Sequence, residues 1–278
     1  MQGAYENRIC RVLDYIHDHP AEDLSLDRLA DVAAMSRFHW HRVFRALTGE
    51  TVAEAVRRVR MTRAAVWLVT TDRPLAGIAA DVGYQNIASF TRTFSDHHGL
   101  PPGAYRRRGQ LRHPDPPDPQ GDYPVYPIEI RTLPAHRLAA IPHRGAYDKI
   151  GRAFEKASAI ISGRNLWPQT RGMVGVYYDD PMSVAPEDLR SHAGVVLTED
   201  APLPDGFEEV TLPAGSHAVL DFTGPYSGLQ QAYHHLYGDW LEGSGKEPSD
   251  TPSFELYLNS PLDTRPEDLK TEICLPLK

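Results

Sequence analysis

The chain has 278 residues, of which 41% are hydrophobic and 24% are charged, and its formal net charge is −8. This composition is typical of a soluble globular protein with room for about two domains, and no apolar run reaches the ~18 residues that a membrane span needs. Two cysteines, Cys10 and Cys274, are too few for a disulfide framework or a cysteine-rich metal site. The N-terminus lacks a basic and apolar signal pattern, so we expect a cytoplasmic protein with no membrane contact.

Charge is distributed unevenly along the chain. Positions 1–109 contain 15 arginines and no lysine against 12 acidic residues, which gives a net charge of +3. Positions 110–278 carry a net charge of −11. A basic segment joined to an acidic one indicates that the first part of the chain meets phosphate and the second does not.

A proline-rich segment divides the sequence. Positions 107–122 read RRGQLRHPDPPDPQGD, with four prolines and few apolar residues, as is typical of a linker. Apolar residues before this segment recur at helical spacing, whereas strand-like segments alternate with helical ones after it. We therefore predict an all-α domain at 1–108, a linker at 109–122 and an α+β domain at 123–278.

The helical domain contains an internal repeat. LDRLA at 26–30 recurs as LAGIA at 75–79, and RVF at 42–44 recurs as RTF at 92–94, at offsets of 49 and 50 residues. In the first copy, a turn at Met35-Ser36 precedes a helix over about Ser36–Thr48, with Ser36 as its N-cap and Gly49 after its end. A second short helix after a tight turn makes a helix-turn-helix.

The second copy follows the same plan. A helix at Leu75–Val82 and a turn at Gly83-Tyr84 precede a helix at about Asn86–His97. In each copy the second helix has a predicted outward face without acidic residues. The first face consists of Arg37, His39, His41, Arg42 and Arg45, and the second includes Asn86, Ala88, Ser89, Arg92 and Thr93. Arginine makes bidentate contacts to guanine and phosphate, so the repeat favours a duplex-DNA binder over a helical bundle with solvated arginines.

Residues 8–108 resemble the AraC/XylS type of DNA-binding domain. The resemblance rests on SRFHWHRVFRALTGETV at 36–52, on IAADVGYQNIASFTRTFSDHHGLPPGAYRR at 78–107, and on the connecting helix with Arg57, Arg58, Arg60 and Arg63. It implies two recognition helices in successive major-groove segments, about one helical turn apart. Carried over by position, the base-reading residues are Phe38, His41 and Arg42 in the first helix and Ala88, Ser89, Thr91 and Arg92 in the second.

Histidines occur in close pairs, at positions 17 and 19, 39 and 41, 97 and 98, and 234 and 235. A metal site needs three or four converging ligands, and these pairs have the wrong helical spacing to share one face. We therefore expect solvated or DNA-facing histidines, no metal site and no cofactor.

The acidic domain also contains a repeat. TLPA at 132–135 recurs at 211–214, and PEDL at 186–189 recurs at 266–269, at offsets of 79 and 80 residues. Each repeat is predicted to run strand, helix, strand, strand. The first comprises Ile128–Leu133, Asp148–Ile161, Met173–Tyr178 and Gly194–Thr198, and the second comprises Glu209–Leu212, Ser227–Leu241, Phe254–Leu258 and Glu272–Leu275. Such a duplicated β-α-β-β domain predicts a pseudo-twofold sheet with a ligand groove between its helices.

Glu255 is where the second repeat differs most informatively from the first. Alignment of Tyr177 with Tyr257 places Glu255 opposite Gly175. A carboxylate inside an apolar strand is costly to bury without a partner. One interpretation is that Glu255 awaits a lipophilic cation, framed by Tyr177, Tyr257 and Trp240. The alternative is that Glu255 faces water or pairs with an arginine.

Residues 123–278 resemble the GyrI-like, Rob-type effector-binding domain. The matching stretches are DWLEGSG at 239–245, FELYLNSP at 254–261 and PEDLKTEICLPL at 266–277. The resemblance implies a ligand pocket between the two repeats and a functional glutamate, which falls on Glu255 here.

Together these features predict a sequence-specific transcription regulator rather than an enzyme. Its expected partners are double-stranded DNA, a small lipophilic or cationic effector, and RNA polymerase. Two alternatives stay open. In one, Glu255 acts as a base with Tyr177 or Tyr257 in the hydrolysis of a reactive small molecule. In the other, the acidic domain docks a protein partner.

Overall fold

The computed structural model describes residues 4–109, 125–181, 183–261 and 263–278. Residues 110–122 of the predicted linker lie outside these ranges. The described residues divide into two compact units. The sheet unit contains residues 36–46 together with the described part of 121–278, and the helical unit contains the described residues of 3–35 and 47–120.

The first 109 residues are helical, as predicted. The helices are α1 (Ala4–Asp18), α2 (Leu26–Ala33), α3 (Trp40–Thr48), α4 (Val52–Thr70), α5 (Leu75–Asp81), α6 (Ile87–His98) and α7 (Pro102–Arg108). The helical unit has a core in which Met61 and Leu68 of α4 pack with Ile78 of α5 and with Phe90 and Phe94 of α6. Apolar residues at helical spacing thus form the buried face that the sequence predicts.

The second helix-turn-helix, α5 to α6, agrees closely with its prediction. The turn contains Gly83, whose φ of +79° lies in the left-handed region that favours glycine. A Cβ at this position would lie 2.8 Å from a guanidinium nitrogen of Arg60 and 2.9 Å from the carbonyl oxygen of Pro20. Glycine is therefore required here by both the backbone angle and the available space.

The helix α3 begins four residues later than predicted, at Trp40. Ser36 instead opens a turn, because its Oγ accepts from the Phe38 amide at 3.3 Å and its carbonyl accepts from the amides of His39 and Trp40. The C-terminal end agrees with the prediction, since Gly49 has a left-handed φ of +76°.

The sheet unit is built on one antiparallel sheet. Its strands are β1 (Ile128–Leu133), β2 (His136–Arg144), β3 (Thr170–Tyr177), β4 (Arg190–Leu197), β5 (Glu208–Leu212), β6 (Gly215–Thr223), β7 (Ser253–Tyr257) and β8 (Lys270–Pro276). Their order in the sheet is β1-β6-β8-β7-β3-β4-β2-β5. The helix α8 (Gly151–Gly163) lies between β2 and β3 in the chain.

Two strands were missing from the prediction, so each repeat is β-β-α-β-β rather than β-α-β-β. The missed strands are β2 and β6, which follow β1 and β5 after turns of two residues. Both have four consecutive buried residues, 138–141 in β2 and 217–220 in β6. A strand buried on both faces lacks the apolar and polar alternation by which strands are recognised in sequence.

The two repeats are related by a pseudo-twofold arrangement, as predicted. The first strand of each repeat pairs with the other repeat, because β1 pairs with β6 and β5 pairs with β2. The equivalent strands β3 and β7 pair with each other in the middle of the sheet. Positions on β3 and β7 therefore lie at the centre of the internal symmetry.

Each face of the sheet has its own core. On one face, Ala139 and Ile141 of β2 pack with Ala157 and Ile161 of α8. On the other face, Leu138 of β2 packs in a cluster that includes residues of β3, β6, β7 and β8. The site described below lies on the α8 face, because Tyr177 belongs to that first core.

The predicted helix at Ser227–Leu241 is interrupted. It consists of α9 (Leu229–His234), a π-helical segment at His235–Trp240 and α10 (Leu241–Ser244). A π-helical segment is rare and often occurs at a functional site. This one carries Tyr237, which is 1% exposed.

Candidate functional site

Glu255 lies where the two repeats meet. It pairs directly with Gly175 across β7 and β3. Tyr177 and Tyr257, which occupy equivalent positions in the two repeats, have their hydroxyl oxygens 2.8 Å apart. The repeat alignment predicted from the sequence is therefore confirmed by the strand pairing, and Glu255 is where the internal symmetry breaks.

The Glu255 carboxylate is buried, with 3% of the residue exposed. The alternative that it faces water is thus wrong. Tyr233 donates its hydroxyl hydrogen to Oε1 at 3.0 Å, and Tyr257 donates to Oε2 at 2.7 Å. Burial raises the pKa of Glu255, although these hydrogen bonds and the charge of Arg42 oppose the rise. Within the described ranges the carboxylate has no salt bridge, so its charge is balanced only by hydroxyl dipoles and a more distant cation.

Hydrogen bonds extend from the carboxylate into a chain. Because the single hydroxyl hydrogen of Tyr257 goes to Glu255, Tyr177 must donate to the hydroxyl oxygen of Tyr257. We call Glu255 with Tyr177, Tyr233 and Tyr257 the Glu255 site. It joins β3, β7 and α9, and its three tyrosines bring hydroxyl groups to the carboxylate and aromatic rings around it.

Further rings surround the Glu255 site. Tyr147 contacts Tyr177 with ring centroids 4.9 Å apart, and Phe154 of α8 contacts Tyr257 at 5.3 Å. Tyr226 contacts Tyr257 at 5.5 Å and is itself 39% exposed. The site therefore lies between the helices of the two repeats and has an edge at the protein surface.

Gly175 makes room for this arrangement. A Cβ at position 175 would lie 2.9 Å from the Tyr177 ring and 3.0 Å from the hydroxyl oxygens of Tyr177 and Tyr257. Those distances are too short for unstrained carbon contacts. A side chain at position 175 would therefore displace the Tyr177 ring or the two hydroxyls that meet beside Glu255.

The sequence prediction missed Tyr233 and named Trp240 instead. Tyr233 donates to Glu255, and its ring stacks on Tyr237 with centroids 6.2 Å apart. Trp240 lies at the end of the π-helical segment and is half-buried. Among the described residues Trp240 has no hydrogen bond or ring contact with the Glu255 site, and its binding role stays a prediction. The spacing of four between Tyr233 and Tyr237 was the signal that could have identified this pair.

The second recognition helix, α6, has the exposure that its prediction requires. Ala88, Ser89 and Arg92 are exposed, and Thr91 is partly exposed. Asn86 is exposed too, but its amide oxygen accepts from the amides of Ala88 and Ser89 at 2.8 and 3.3 Å, so it is the N-cap of α6.

Two arginines of the connecting helix α4 make polar contacts within the helical unit, and Arg63 lies against the Trp67 ring. Arg58 pairs with Glu50, and Arg60 donates to the carbonyl oxygen of Pro20 at 2.8 Å. Arg57 is exposed. Of Arg57, Arg58 and Arg60, Arg57 is the one whose side chain is free to approach a phosphate as predicted.

The first recognition helix differs from its prediction. His39 is 0% exposed and His41 is 3% exposed, so the expectation of an outward face at these positions is wrong. The Arg42 guanidinium carbon lies 4.6 Å from the Tyr233 ring centroid and 5.3 Å from that of Tyr237. Arg37 is exposed, and Phe38 and Arg45 are partly exposed. The DNA-reading roles of α3 stay predictions.

Within the described ranges, no helix is long and apolar enough to cross a membrane. In the same residues, no group of three or more histidine, cysteine, aspartate or glutamate side chains is arranged to hold a metal ion.

A helical half with two helix-turn-helix pairs and a duplicated half with a buried carboxylate between its repeats define a DNA-binding protein with a second, ligand-binding domain. Comparisons with family profiles agree. Residues 29–108 match a helix-turn-helix domain, and residues 126–278 match the GyrI-like small molecule binding domain. The chain belongs to the GyrI-like family and carries an AraC-type helix-turn-helix domain ahead of its GyrI-like domain.

Similar proteins include named regulators. Regulatory protein SoxS of Salmonella typhimurium is 33% identical over 105 residues, which are 38% of this chain and 98% of SoxS. The Right origin-binding protein of Escherichia coli K12 is 23% identical over 287 residues, covering 96% of both chains. The uncharacterized HTH-type transcriptional regulator YbfP of Bacillus subtilis is 35% identical over 102 residues, and that match spans 37% of this chain and 35% of YbfP.

Proposed function

We propose that this protein is a transcription regulator that binds duplex DNA through α3 and α6 and binds a lipophilic cation at the Glu255 site. The proposal of a bound cation rests on one observation, the burial of the Glu255 carboxylate. Glu255 is 3% exposed and accepts hydrogen bonds from two tyrosine hydroxyls. RNA polymerase is its proposed protein partner.

The chemistry of the Glu255 site favours a cation with an apolar body. Burying a carboxylate without a counter-charge is unfavourable, and a positive ligand removes that penalty. Aromatic faces attract cations through the ring quadrupole, and they also cover the apolar part of a ligand. Tyr177, Tyr233 and Tyr257 offer both a hydroxyl network and ring surface around Glu255.

The DNA half of the proposal is supported by the exposed side chains of α6 and by the arginine content of the first 109 residues. Ser89 and Arg92 can donate hydrogen bonds to base edges, whereas Ala88 can only make apolar contact. The proposed base-reading residues of the first helix-turn-helix are Phe38, which precedes α3, and His41 and Arg42 of α3, with Arg37 and Arg45 beside them for phosphate.

The effector proposal can be tested with a matched pair of probes. Phenylguanidinium is a planar aromatic cation, and phenylurea has nearly the same shape without the charge. We expect phenylguanidinium to raise the melting temperature of the full chain and phenylurea to have little effect. A ligand with micromolar Kd at millimolar concentration would stabilise the protein by about 4 kcal/mol.

Two variants give this experiment its controls. In Glu255→Gln the stabilisation by phenylguanidinium should disappear, whereas Glu267→Gln, which removes an exposed carboxylate of the same unit, should behave as the wild type. Equal stabilisation of the wild type and Glu255→Gln would contradict the role of Glu255. Stabilisation by both probes alike would contradict the cation.

The hydrolase alternative has one observation in its favour. Glu255, Tyr257 and Tyr177 form a continuous hydrogen-bonded chain with distances of 2.7 and 2.8 Å, which could orient a base and a hydroxyl donor. Turnover of a bound reactive ester that disappears in Glu255→Gln, while binding persists, would support the enzyme. Loss of binding without any turnover in the wild type would support the regulator.

A further inference from the structure

The segment 36–46, which contains the start of α3, belongs to the sheet unit. His39 makes two hydrogen bonds there, from Nε2 to the carbonyl oxygen of Thr251 and between Nδ1 and the hydroxyl of Tyr237, both at 2.8 Å. Because a carbonyl can only accept, Nε2 carries the hydrogen and Nδ1 accepts from Tyr237. Ser36 donates to Asp250 Oδ1 at 3.1 Å. The start of α3 is thus held to the sheet unit by specific polar contacts.

Arg42 also contacts the sheet unit, and its contacts lie next to the Glu255 site. Its guanidinium donates to the carbonyl oxygen of Asp179 at 3.0 Å and to Ser253 Oγ at 3.2 Å. It also lies against the rings of Tyr233 and Tyr237. Tyr233 is the residue that donates to Glu255. A single tyrosine therefore has its ring against a cation and its hydroxyl on the buried carboxylate.

Burial lowers the pKa of Arg42, but the phenol oxygens of Tyr237 and Tyr233 and the charge of Asp180 raise it by more. A guanidinium stays charged in proteins. Arg42 is therefore a planar cation against the aromatic wall of the Glu255 site, which is the chemistry that we propose for the effector.

The same contacts engage all three side chains that are predicted to read bases from α3. The Phe38 ring contacts Tyr178 with centroids 6.4 Å apart, His41 is 3% exposed, and Arg42 is bound as described. Direct readout requires side chains that reach base edges in the major groove. A chain in this arrangement cannot read DNA with α3.

We call the form in which α3 contacts the sheet unit the docked form, and the form without these contacts the free form. In the docked form, His41 lacks part of its hydrogen bonding. Both of its ring nitrogens are buried, and apart from a weak contact with the backbone of Arg37 they have no hydrogen-bond partner among the described residues. An unsatisfied buried polar group lowers the stability of the arrangement that contains it. Release of α3 would return these nitrogens to water or to DNA. This lowers the free-energy cost of converting the docked form to the free form.

We propose that Arg42 is an intramolecular ligand of the Glu255 site, which keeps α3 from reading DNA until a cationic effector displaces it. This inference rests on the proposed function, because it assigns the regulation of the same site. Effector and Arg42 compete for one aromatic wall, so the effector binds the form in which α3 is free. DNA binds that form as well, and the two ligands therefore favour each other.

The competition can be measured without DNA. In Arg42→Ala the intramolecular ligand is removed, and we expect phenylguanidinium to bind the full chain at least 10-fold more tightly than it binds the wild type, by calorimetry. Arg45→Ala, on the same helix, is the matched control and should leave the affinity within about twofold. Unchanged or weaker binding by Arg42→Ala would overturn the inference.

The effect on DNA can be measured by tethering α3. Ser36→Cys and Asp250→Cys, in a Cys10→Ser background, place two thiols where a 3.1 Å hydrogen bond joins the native side chains. A short cross-linker with two thiol-reactive groups should join them and lower affinity at least 10-fold for a duplex that the uncross-linked chain selects from a random library. A reducible linker allows the loss to be reversed in the same sample.

The outcomes separate the inference from the proposed function. Equal DNA affinity with and without the cross-link would overturn the inference, and so would a cross-linking rate that saturating phenylguanidinium does not slow. Either result could occur with Glu255-dependent binding of phenylguanidinium intact, which would leave the proposed function standing. If phenylguanidinium binding did not depend on Glu255, the proposed function itself would fail.

Discussion

At the scale of single residues, Gly175 and Glu255 form an unequal pair. The internal repeat gives both strands the same tyrosine, and the two hydroxyls meet at 2.8 Å across the axis. Close packing leaves no further volume there. With the two tyrosines in this position a Cβ at residue 175 would be too close to them, so the pair consists of one glycine and one glutamate.

Gly175→Ala tests this steric limit. The added methyl would lie 2.9 Å from the Tyr177 ring, so the ring or the strand must move, and overpacking of this kind costs about 1–3 kcal/mol. We expect that loss in urea unfolding of the full chain, together with weaker binding of phenylguanidinium.

Gly163→Ala, at the end of α8, is the matched control. A Cβ at position 163 would have nothing within 4 Å, so this change should be neutral or stabilise the helix by up to about 1 kcal/mol. If the two variants unfolded at the same urea concentration, steric exclusion at Gly175 would not shape the site.

At the scale of secondary-structure elements, α3 carries side chains that contact the sheet unit and that we also propose to read DNA. Its histidines show the consequence most clearly. Burial lowers the pKa of His39 to about 3 and that of His41 to about 4, and in both cases the positive charge of Arg42 contributes. The two rings face each other's charge, and the other groups that face them are the Tyr237 hydroxyl, the Thr251 carbonyl, the Arg37 backbone, Arg42, Asp179 and Asp180.

These shifts predict that acid opens the docked form. When α3 is free, both histidines should titrate near the ordinary value of about 6.5, so the stability that they give the docked form is complete above that pH. It is lost as pH falls from about 6.5 toward 3 to 4, because the free form binds more protons. Two histidines should lower the ratio of docked to free α3 by about 100-fold between pH 7.5 and 5.5.

Histidine ring resonances measured by NMR would check this expectation, with assignments from His39→Gln and His41→Gln. The docked signals should fade as pH falls to 5.5, and protonated signals of free α3 should replace them. Each single variant should lose part of the pH dependence. Docked signals that persisted at full intensity to pH 5 would contradict the prediction.

At the scale of the whole molecule, the chain joins a basic DNA-binding part to an acidic part with a small-molecule binding domain, and we propose that α3 takes part in both functions. If both ligands bind only when α3 is free, linkage requires that each raises the affinity of the other by the same factor. The size of that factor is set by how much of the protein is docked in the absence of ligands.

This reciprocity can be measured directly. Saturating phenylguanidinium should tighten binding of a selected duplex, and saturating duplex should tighten binding of phenylguanidinium by an equal factor, as measured by anisotropy and calorimetry. In Arg42→Ala, saturating duplex should leave the affinity for phenylguanidinium nearly unchanged. Phenylurea with sodium chloride at matched ionic strength controls for the salt dependence of DNA binding. Unequal factors, or weaker DNA binding with the cation, would contradict the scheme.

Several features could be predicted from the sequence because they depend on local periodicity. The second helix-turn-helix was predicted to within about two residues, since α5 and α6 each bury one apolar face and are separated by a glycine turn. Glu255 was identified because a carboxylate interrupts an apolar strand at a position where the other repeat has glycine. The two families were recognised from stretches that keep their motifs intact.

Other features depended on contacts between distant parts of the chain. The strands β2 and β6 were missed because burial on both faces removes their alternation. Tyr233 was missed because its hydroxyl reaches Glu255 only after a helix packs on the sheet. The burial of α3 depends on pairs such as His39 and Tyr237, which are 198 residues apart.

The sequence by itself thus determined the kinds of unit in this protein. They are two helix-turn-helix pairs and a duplicated strand-rich domain with one carboxylate, Glu255, inside an apolar strand. These features could be predicted because helical and strand periods and repeats are local properties. Only the tertiary structure decided which side chains surround the Glu255 carboxylate. A guanidinium on α3 and a carboxylate on β7 have no shared pattern in the chain, and they become neighbours of one tyrosine only through packing.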